Sequence, residues 1–199
     1  MRIVGGTGPR RMDAAEVAAW AAGYAAMVVD LGAGDGRFVR RLAGQCPAVG
    51  AIGIDLVEAS LRPASRTAAG NALFVVADAL ALPQELGGVA TRITVNFPWG
   101  SLLRGLLDGH PGLLAGLGLV GRDGVAVEIV VNAGALAEAS WPFAAGGERV
   151  AAVLRDAGAA VGPVRLLGPA DLRRWPTTWA KRLAFGRDPR AVRIDARLA

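Results

Sequence analysis

The chain has 199 residues, is 53% hydrophobic and carries a formal net charge of +5, which suits one α/β domain with a substantial core and excludes a disordered chain. No apolar run approaches the roughly 18–20 residues that cross a bilayer, and residues 1–6 lack the apolar core of a signal peptide. A soluble, cytoplasmic protein with no membrane partner is therefore expected.

Cys46 is the single cysteine, so neither an intrachain disulfide nor a cysteine-based metal site is available; it reads as a small buried hydrophobe, and no metal is expected. Lys181 is the only lysine, and the arginines concentrate at Arg10-Arg11, at Arg62 and Arg66, and between 173 and 197. Such a basic surplus permits a nucleic-acid partner.

Residues 1–12, with Gly5-Gly6 and Thr7-Gly8-Pro9 as turn formers, predict a short hairpin. Asp13 followed by Glu16 makes a capping box that opens a helix to about residue 26. Thereafter β-rich and helical runs alternate: strand 27–31, helix 37–44, strand 49–55, helix 57–67 interrupted by Pro63, then strands 72–77, 91–97 and 124–131. A helix over 148–157 and strands over 161–167 and 191–196 complete one domain spanning 1–199. Alternating βα units imply a mainly parallel sheet, with a ligand at the carboxyl ends of its strands beside the topological switch point.

Asp30-Leu31-Gly32-Ala33-Gly34-Asp35-Gly36 lies between a predicted strand and a helix. Glycine at every second position lets the backbone turn sharply and touch a ligand without Cβ obstruction. Asp55 ends the next strand, where a carboxylate can accept both ribose hydroxyls. Asp78 ends the third, where an adenine amino group would lie. A dinucleotide-binding unit has the spacing G-x-G-x-x-G and an open helix N-terminus for a pyrophosphate. Here the spacing is G-x-G-x-G, with Asp30 before it and Asp35 inside it. Negative charge there opposes a pyrophosphate and suits the sulfonium and amino group of S-adenosyl-L-methionine, which is the expected cofactor. Asp30 would face the methionine amino group, or be buried in a structural hydrogen-bond network.

After the fourth strand comes Asn96-Phe97-Pro98-Trp99-Gly100-Ser101, close to the Asn/Asp-Pro-Pro-aromatic loop of methyltransferases that act on base amino groups. Trp99 stacks on a base in that reading, or else plugs the core. Near the chain end, Trp179 lies beside the basic cluster Lys181, Arg182 and Arg187. Two tryptophans can sandwich an extruded base.

The glycine loop, Phe97-Pro98-Trp99-Gly100-Ser101-Leu102-Leu103 and the run 179–187 together resemble the aminoglycoside-resistance methyltransferases that modify N1 of adenosine 1408 in 16S rRNA. The resemblance implies an α/β class I methyltransferase (Rossmann-like) fold, with a mainly parallel seven-stranded sheet and a short N-terminal β-hairpin extension. It implies a monomeric enzyme acting on the 30S subunit. Asp30, Gly32, Gly34, Asp55, Asp78, Ala79, Leu80, Asn96, Phe97, Pro98, Gly100, Ser101, Thr177 and Thr178 would surround the cofactor. Trp99 and Trp179 would hold the flipped adenine, and Arg62, Arg66, Lys181, Arg182, Arg187 and Arg190 would contact rRNA. Family members carry several lysines after the second strand, where this chain has only Arg62 and Arg66. Pro189 stands where another arginine is expected. Fewer phosphate contacts predict weaker docking and weaker activity. The alternatives are a methyltransferase of another nucleic acid or a small molecule, and a silent rRNA-binding homologue.

Overall fold

The computed structural model describes residues 1–5, 8–175, 177, 180, 183 and 188–199. Among them, ten strands form one mixed sheet: β1 (Arg2–Gly5), β2 (Gly8–Arg11), β3 (Ala26–Leu31), β4 (Val49–Asp55), β5 (Ala72–Val76), β6 (Ala90–Asn96), β7 (Gly121–Asn132), β8 (Ala160–Val161), β9 (Arg165–Leu167) and β10 (Ala191–Arg197). Their order is β2-β1-β5-β4-β3-β6-β7-β10-β8, with β9 also pairing with β10. The strands from β5 to β7 run parallel, whereas β10 is antiparallel to β7, β8 and β9. The seven expected strands are the path from β5 to β8. The sheet is wider and more mixed because the N-terminal hairpin joins its edge beside β5, and because 161–167 breaks at Gly162-Pro163 into two short strands.

Eight α-helices accompany the sheet among the described residues, α1 (Ala14–Ala21), α2 (Arg37–Gln45), α3 (Glu58–Thr67), α4 (Gly100–Asp108), α5 (Pro111–Val120), α6 (Ala133–Glu138), α7 (Phe143–Asp156) and α8 (Pro169–Arg174), with a 3-10 turn at Gln84–Leu86. The Asp13/Glu16 capping box forms as expected, but α1 stops at Ala21, where Gly23 and Tyr24 turn the chain into β3. Pro63 does not interrupt α3. A proline inside a helix costs about 3 kcal/mol, but Leu61 and Ala64 pin this helix into a buried cluster with Val39, Ala43 and Phe74.

Each face of the sheet is sealed by alternate strand residues. Ile52, Ile54, Ile93, Val95, Val127 and Ile129 meet α1, α4, α5, α6 and α7 in the largest cluster. Ala51 and Phe74 meet α2 and α3 on the other face. A third cluster joins Phe97, Val130, Leu167, Leu172 and Ala191. No helix among the described residues is long and apolar enough to cross a membrane. Cys46 corrects the expectation of burial: it caps α2 in a turn and is exposed.

Candidate functional site

At the carboxyl ends of β3, β4, β5 and β6 lies a cavity of about 680 Å³. The strand order reverses at β3, since β4 and β5 lie on one side of it and β6 and β7 on the other; the cavity is thus at the topological switch point. The glycine loop forms its floor. Gly32, Gly34 and Gly36 all have positive φ, of 71°, 55° and 66°, the left-handed region that a side chain disfavours. A Cβ on Gly32 would stand 2.7 Å from Leu102, and one on Gly36 would stand 2.6 Å from Phe74. The loop is thus wedged between the first turn of α4 and β5, which fixes its path.

Four aspartates line the cavity, Asp30, Asp35, Asp55 and Asp78, and no lysine, arginine or histidine does so among the described residues. Asp55 accepts the Gly34 N–H on Oδ2 (2.8 Å) and the Val57 N–H on Oδ1 (2.9 Å). Each oxygen keeps a further lone pair for a ligand. Asp78 Oδ1 accepts the Leu80 N–H (2.9 Å). Asp35 accepts the Arg37 N–H and has its guanidinium at 3.8 Å.

Asp30 is only 2% exposed. Its Oδ1 accepts from Thr94 Oγ1 (2.7 Å) and Asn96 Nδ2 (2.8 Å), so it is both embedded in a hydrogen-bond network and present on the cavity wall. Burial raises its pKa to about 7, against the pull of these two donors and with the help of the Asp55 and Glu128 charges. The sheet register explains the neighbours. Asp30 lies opposite Gly53 on β4 and Thr94 on β6, and Thr94 lies opposite Glu128 on β7. Gly53 is tightly packed, since a Cβ there would stand 3.1 Å from both Ala33 and Val39.

The loop after β6 closes another wall. Phe97 is a non-glycine residue with φ of 55°, a conformation that costs on the order of 1–3 kcal/mol. It is held by burial in the third cluster and by its N–H donating to Val130 O (2.8 Å). The bend turns Pro98, Trp99, Gly100 and Ser101 onto the cavity. Trp99 is half-buried: it lines the cavity and also packs against the largest core cluster. Thr177 reaches the same wall, and its Oγ1 accepts the Ala180 N–H (3.0 Å).

Thus the structure brings Asp30, Gly32, Gly34, Asp55, Asp78, Ala79, Asn96, Phe97, Pro98, Trp99, Gly100, Ser101 and Thr177 around one cavity. Leu80, expected beside the cofactor, is not among the residues that line it. Its side chain instead packs on the core and abuts Gly105 of α4. Thr178, Trp179, Lys181, Arg182 and Arg187 lie outside the described residues. Arg62 is ion-paired with Glu58 (2.9 Å), which also binds Arg2. Arg66 is exposed, with no ion pair among the described residues. Arg190 is paired with Asp188 (2.7 Å) and lies over the Phe143 ring at 5.0 Å. His110 is an exposed residue at the start of α5, away from the cavity.

Sequence reasoning missed Thr94 and Trp175, whose indole N–H donates to Asn96 Oδ1 (2.8 Å). The signal for Thr94 was the period of two on β6, which sets it on the same face as Asn96. It also missed Leu56 and Val57, exposed apolar residues that follow Asp55 and line the cavity.

The family model for 16S rRNA (adenine(1408)-N(1))-methyltransferase, NpmA, matches residues 2–198. A protein of that name from Streptoalloteichus tenebrarius is 31% identical over 204 residues, covering 94% of each chain. The solved structure of the 16S rRNA methyltransferase KamB superposes with a TM-score of 0.88 at 27% identity, each chain covered in full. A mutant of the Catenulisporales acidiphilia enzyme, solved with cosubstrate SAM, gives a TM-score of 0.85 at 25% identity, covering 100% of this chain and 97% of that one. With a class I methyltransferase sheet, an acid-lined cavity at its switch point and a family match over nearly its full length, this chain belongs to the 16S rRNA (adenine(1408)-N(1))-methyltransferase family.

Proposed function

We propose that this protein transfers a methyl group from S-adenosyl-L-methionine to N1 of adenosine 1408 in the 16S rRNA of the 30S subunit, and so confers aminoglycoside resistance. The observation that carries the reading is the charge of the cavity: four carboxylates and no cationic side chain on its described walls. Such a wall repels a pyrophosphate and attracts a ligand with a sulfonium and an ammonium group.

The donor and acceptor set fits that cofactor. Asp30 takes the methionine ammonium on the carboxylate oxygen left over from Thr94 and Asn96. Asp55, oriented by the Gly34 and Val57 amides, accepts the ribose hydroxyls, and Asp78 accepts from the adenine amino group. Gly32 and Gly34 let the backbone lie against the ligand. S-adenosyl-L-methionine supplies an electrophilic methyl group on a sulfonium, which leaves as a neutral thioether.

The protein's part is to present the base. The N1 lone pair of neutral adenine is already free, so no general base is required. The positive charge passes to the methylated base, and the aromatic face of Trp99 suits that cation better than an adjacent arginine would. Trp179, which lies outside the described residues, is the residue proposed to stack on the other face of the base. Arg66, Lys181, Arg182 and Arg187 dock the rRNA phosphates, with Arg62 and Arg190 contributing less because each is already paired with an acid. Rate enhancement then rests on proximity and alignment.

Primer extension on 16S rRNA from cells expressing the protein tests the reading. N1 methylation blocks Watson–Crick pairing, so a new stop is expected at adenosine 1408. Full read-through despite expression of folded protein would refute it.

A further inference from the structure

Trp175 is not on the cavity wall, yet it is tied to the cavity by a two-step chain. Its Nε1–H donates to Asn96 Oδ1 (2.8 Å), and Asn96 Nδ2 donates to Asp30 Oδ1 (2.8 Å). An asparagine amide can rotate through a half-turn at little steric cost, exchanging oxygen and nitrogen. Here the two orientations are far from equivalent. The reversed amide would set its oxygen against the Asp30 carboxylate and its NH2 against the Trp175 N–H. Trp175 is the one donor to Asn96 Oδ1 among the described residues.

The indole is itself held from several sides. The Trp175 backbone N–H closes α8 on Asp171 O (3.2 Å) and Leu172 O (3.1 Å), and Leu172 is fully buried. The ring lies over the Arg193 guanidinium at 5.5 Å, and Asp195 and Glu128 fix that guanidinium. A tryptophan there only to fill space would not need its N–H aimed at a neighbouring amide.

We infer that Trp175 is a positioning residue for cofactor capture: its indole N–H locks the Asn96 amide in the orientation that donates to Asp30, and so leaves Asp30 Oδ2 as the oxygen offered to a cationic ligand. This rests on the proposed cofactor. Thr94 spends its only proton on the same Oδ1, and no hydrogen bond reaches Oδ2 from the described residues. The Asn96 donation also opposes the burial, and the Asp55 and Glu128 charges, that favour the neutral acid. Losing the lock moves Asp30 ionisation to higher pH and weakens cation binding most on the acid side.

The test is calorimetric binding of S-adenosyl-L-methionine to wild type, Trp175→Phe, Asn96→Ala and the double variant, from pH 6 to pH 9. The ligand's own ionisation cancels in the ratio of variant to wild-type Kd. For Trp175→Phe that ratio is expected at about three- to tenfold at pH 6, falling to about one by pH 9, as a shift of up to one pKa unit requires. Asn96→Ala should show the same trend, and Trp175→Phe should add nothing to it in the double variant. A ratio independent of pH, or additive effects in the double variant, overturns the inference. If Trp175→Phe does not fold, a pH-independent ratio for Asn96→Ala still overturns it. Absence of binding to wild type overturns the cofactor reading, and this inference with it.

Discussion

The protein contains two groups of acids near the same sheet, treated in opposite ways. On the antiparallel flank, Glu128 and Asp195 share Arg193, and Asp195 also takes Arg165 at 3.0 Å. Burial pushes the Glu128 carboxyl up, while Arg193 and Arg92 pull it back. At the carboxyl ends of the parallel strands, Asp30, Asp55 and Asp78 have no ion pair among the described residues; their hydrogen bonds come from neutral backbone and side-chain groups. Arginine is plentiful in this chain, so the contrast is one of placement. Compensated acids hold the flank of the sheet together, and the cavity acids Asp30, Asp55 and Asp78 are left without a cationic partner among the described residues.

The largest effect is expected at Asp55. Asp55→Ala removes two charge-assisted hydrogen bonds to the ribose, each worth roughly 1.5–3 kcal/mol, so S-adenosyl-L-methionine affinity measured by calorimetry should fall by about a hundredfold or more. Unchanged affinity in a folded variant would break the comparison at its strongest point.

Asp30→Asn should separate binding from stability. A carboxyl whose pKa rises from 3.8 unfolded to about 7 folded binds more protons in the native state, so its contribution is fully present below pH 3.8 and lost as pH rises through 7. The opposing free energy once it is ionised is of the order of 4 kcal/mol. The variant should therefore melt higher than wild type at pH 8 without ligand, while binding the cofactor less tightly. A lower melting temperature at pH 8 would contradict this account of Asp30.

Trp99→Ala should abolish methylation of purified 30S subunits. Full burial of a tryptophan is worth about 3–5 kcal/mol, and Trp99 is half-buried, so a loss of roughly 2 kcal/mol and a fall of about 4–8 °C in Tm are expected. A substantially larger fall would mark it as a core residue first. Arg182→Glu and Arg187→Glu should each weaken 30S binding and flatten its salt dependence, by a slope of about 0.7–0.9 per lost phosphate contact, with cofactor affinity unchanged. The smallest effect belongs to the exposed flank: Arg165→Ala should cost below about 1 kcal/mol and leave cofactor affinity as it was.

Much of the cofactor side was legible in the chain. The glycine loop, Asp55 and Asp78 follow strands whose apolar runs are continuous, as parallel strands buried on both faces must be. The sequence assigned no element to residues 100–120, where α4 and α5 form. Glycines at 105, 112, 116 and 118 lower helix propensity. Their reason lies in packing: a Cβ on Gly112 would stand 2.3 Å from Leu80 O, and one on Gly105 would stand 2.8 Å from the Leu80 side chain. Those helices therefore press against the segment that follows Asp78, a long-range contact no local pattern announces. Trp175 was hidden for a similar reason, since its hydrogen-bond partner lies 79 residues away. Cys46 was misread because composition favours burial, whereas a helix-capping turn set it at the surface.

The cavity carboxylates of Asp30, Asp55 and Asp78, without an ion pair among the described residues, are the proposed site for a cationic ligand. Parallel calorimetric titrations of the wild-type protein with S-adenosyl-L-methionine and with NAD, at pH 7.5 and low salt, test it most directly. Saturable binding of S-adenosyl-L-methionine with no heat from NAD is the predicted result. Binding of the pyrophosphate-bearing dinucleotide in preference to the sulfonium would contradict it.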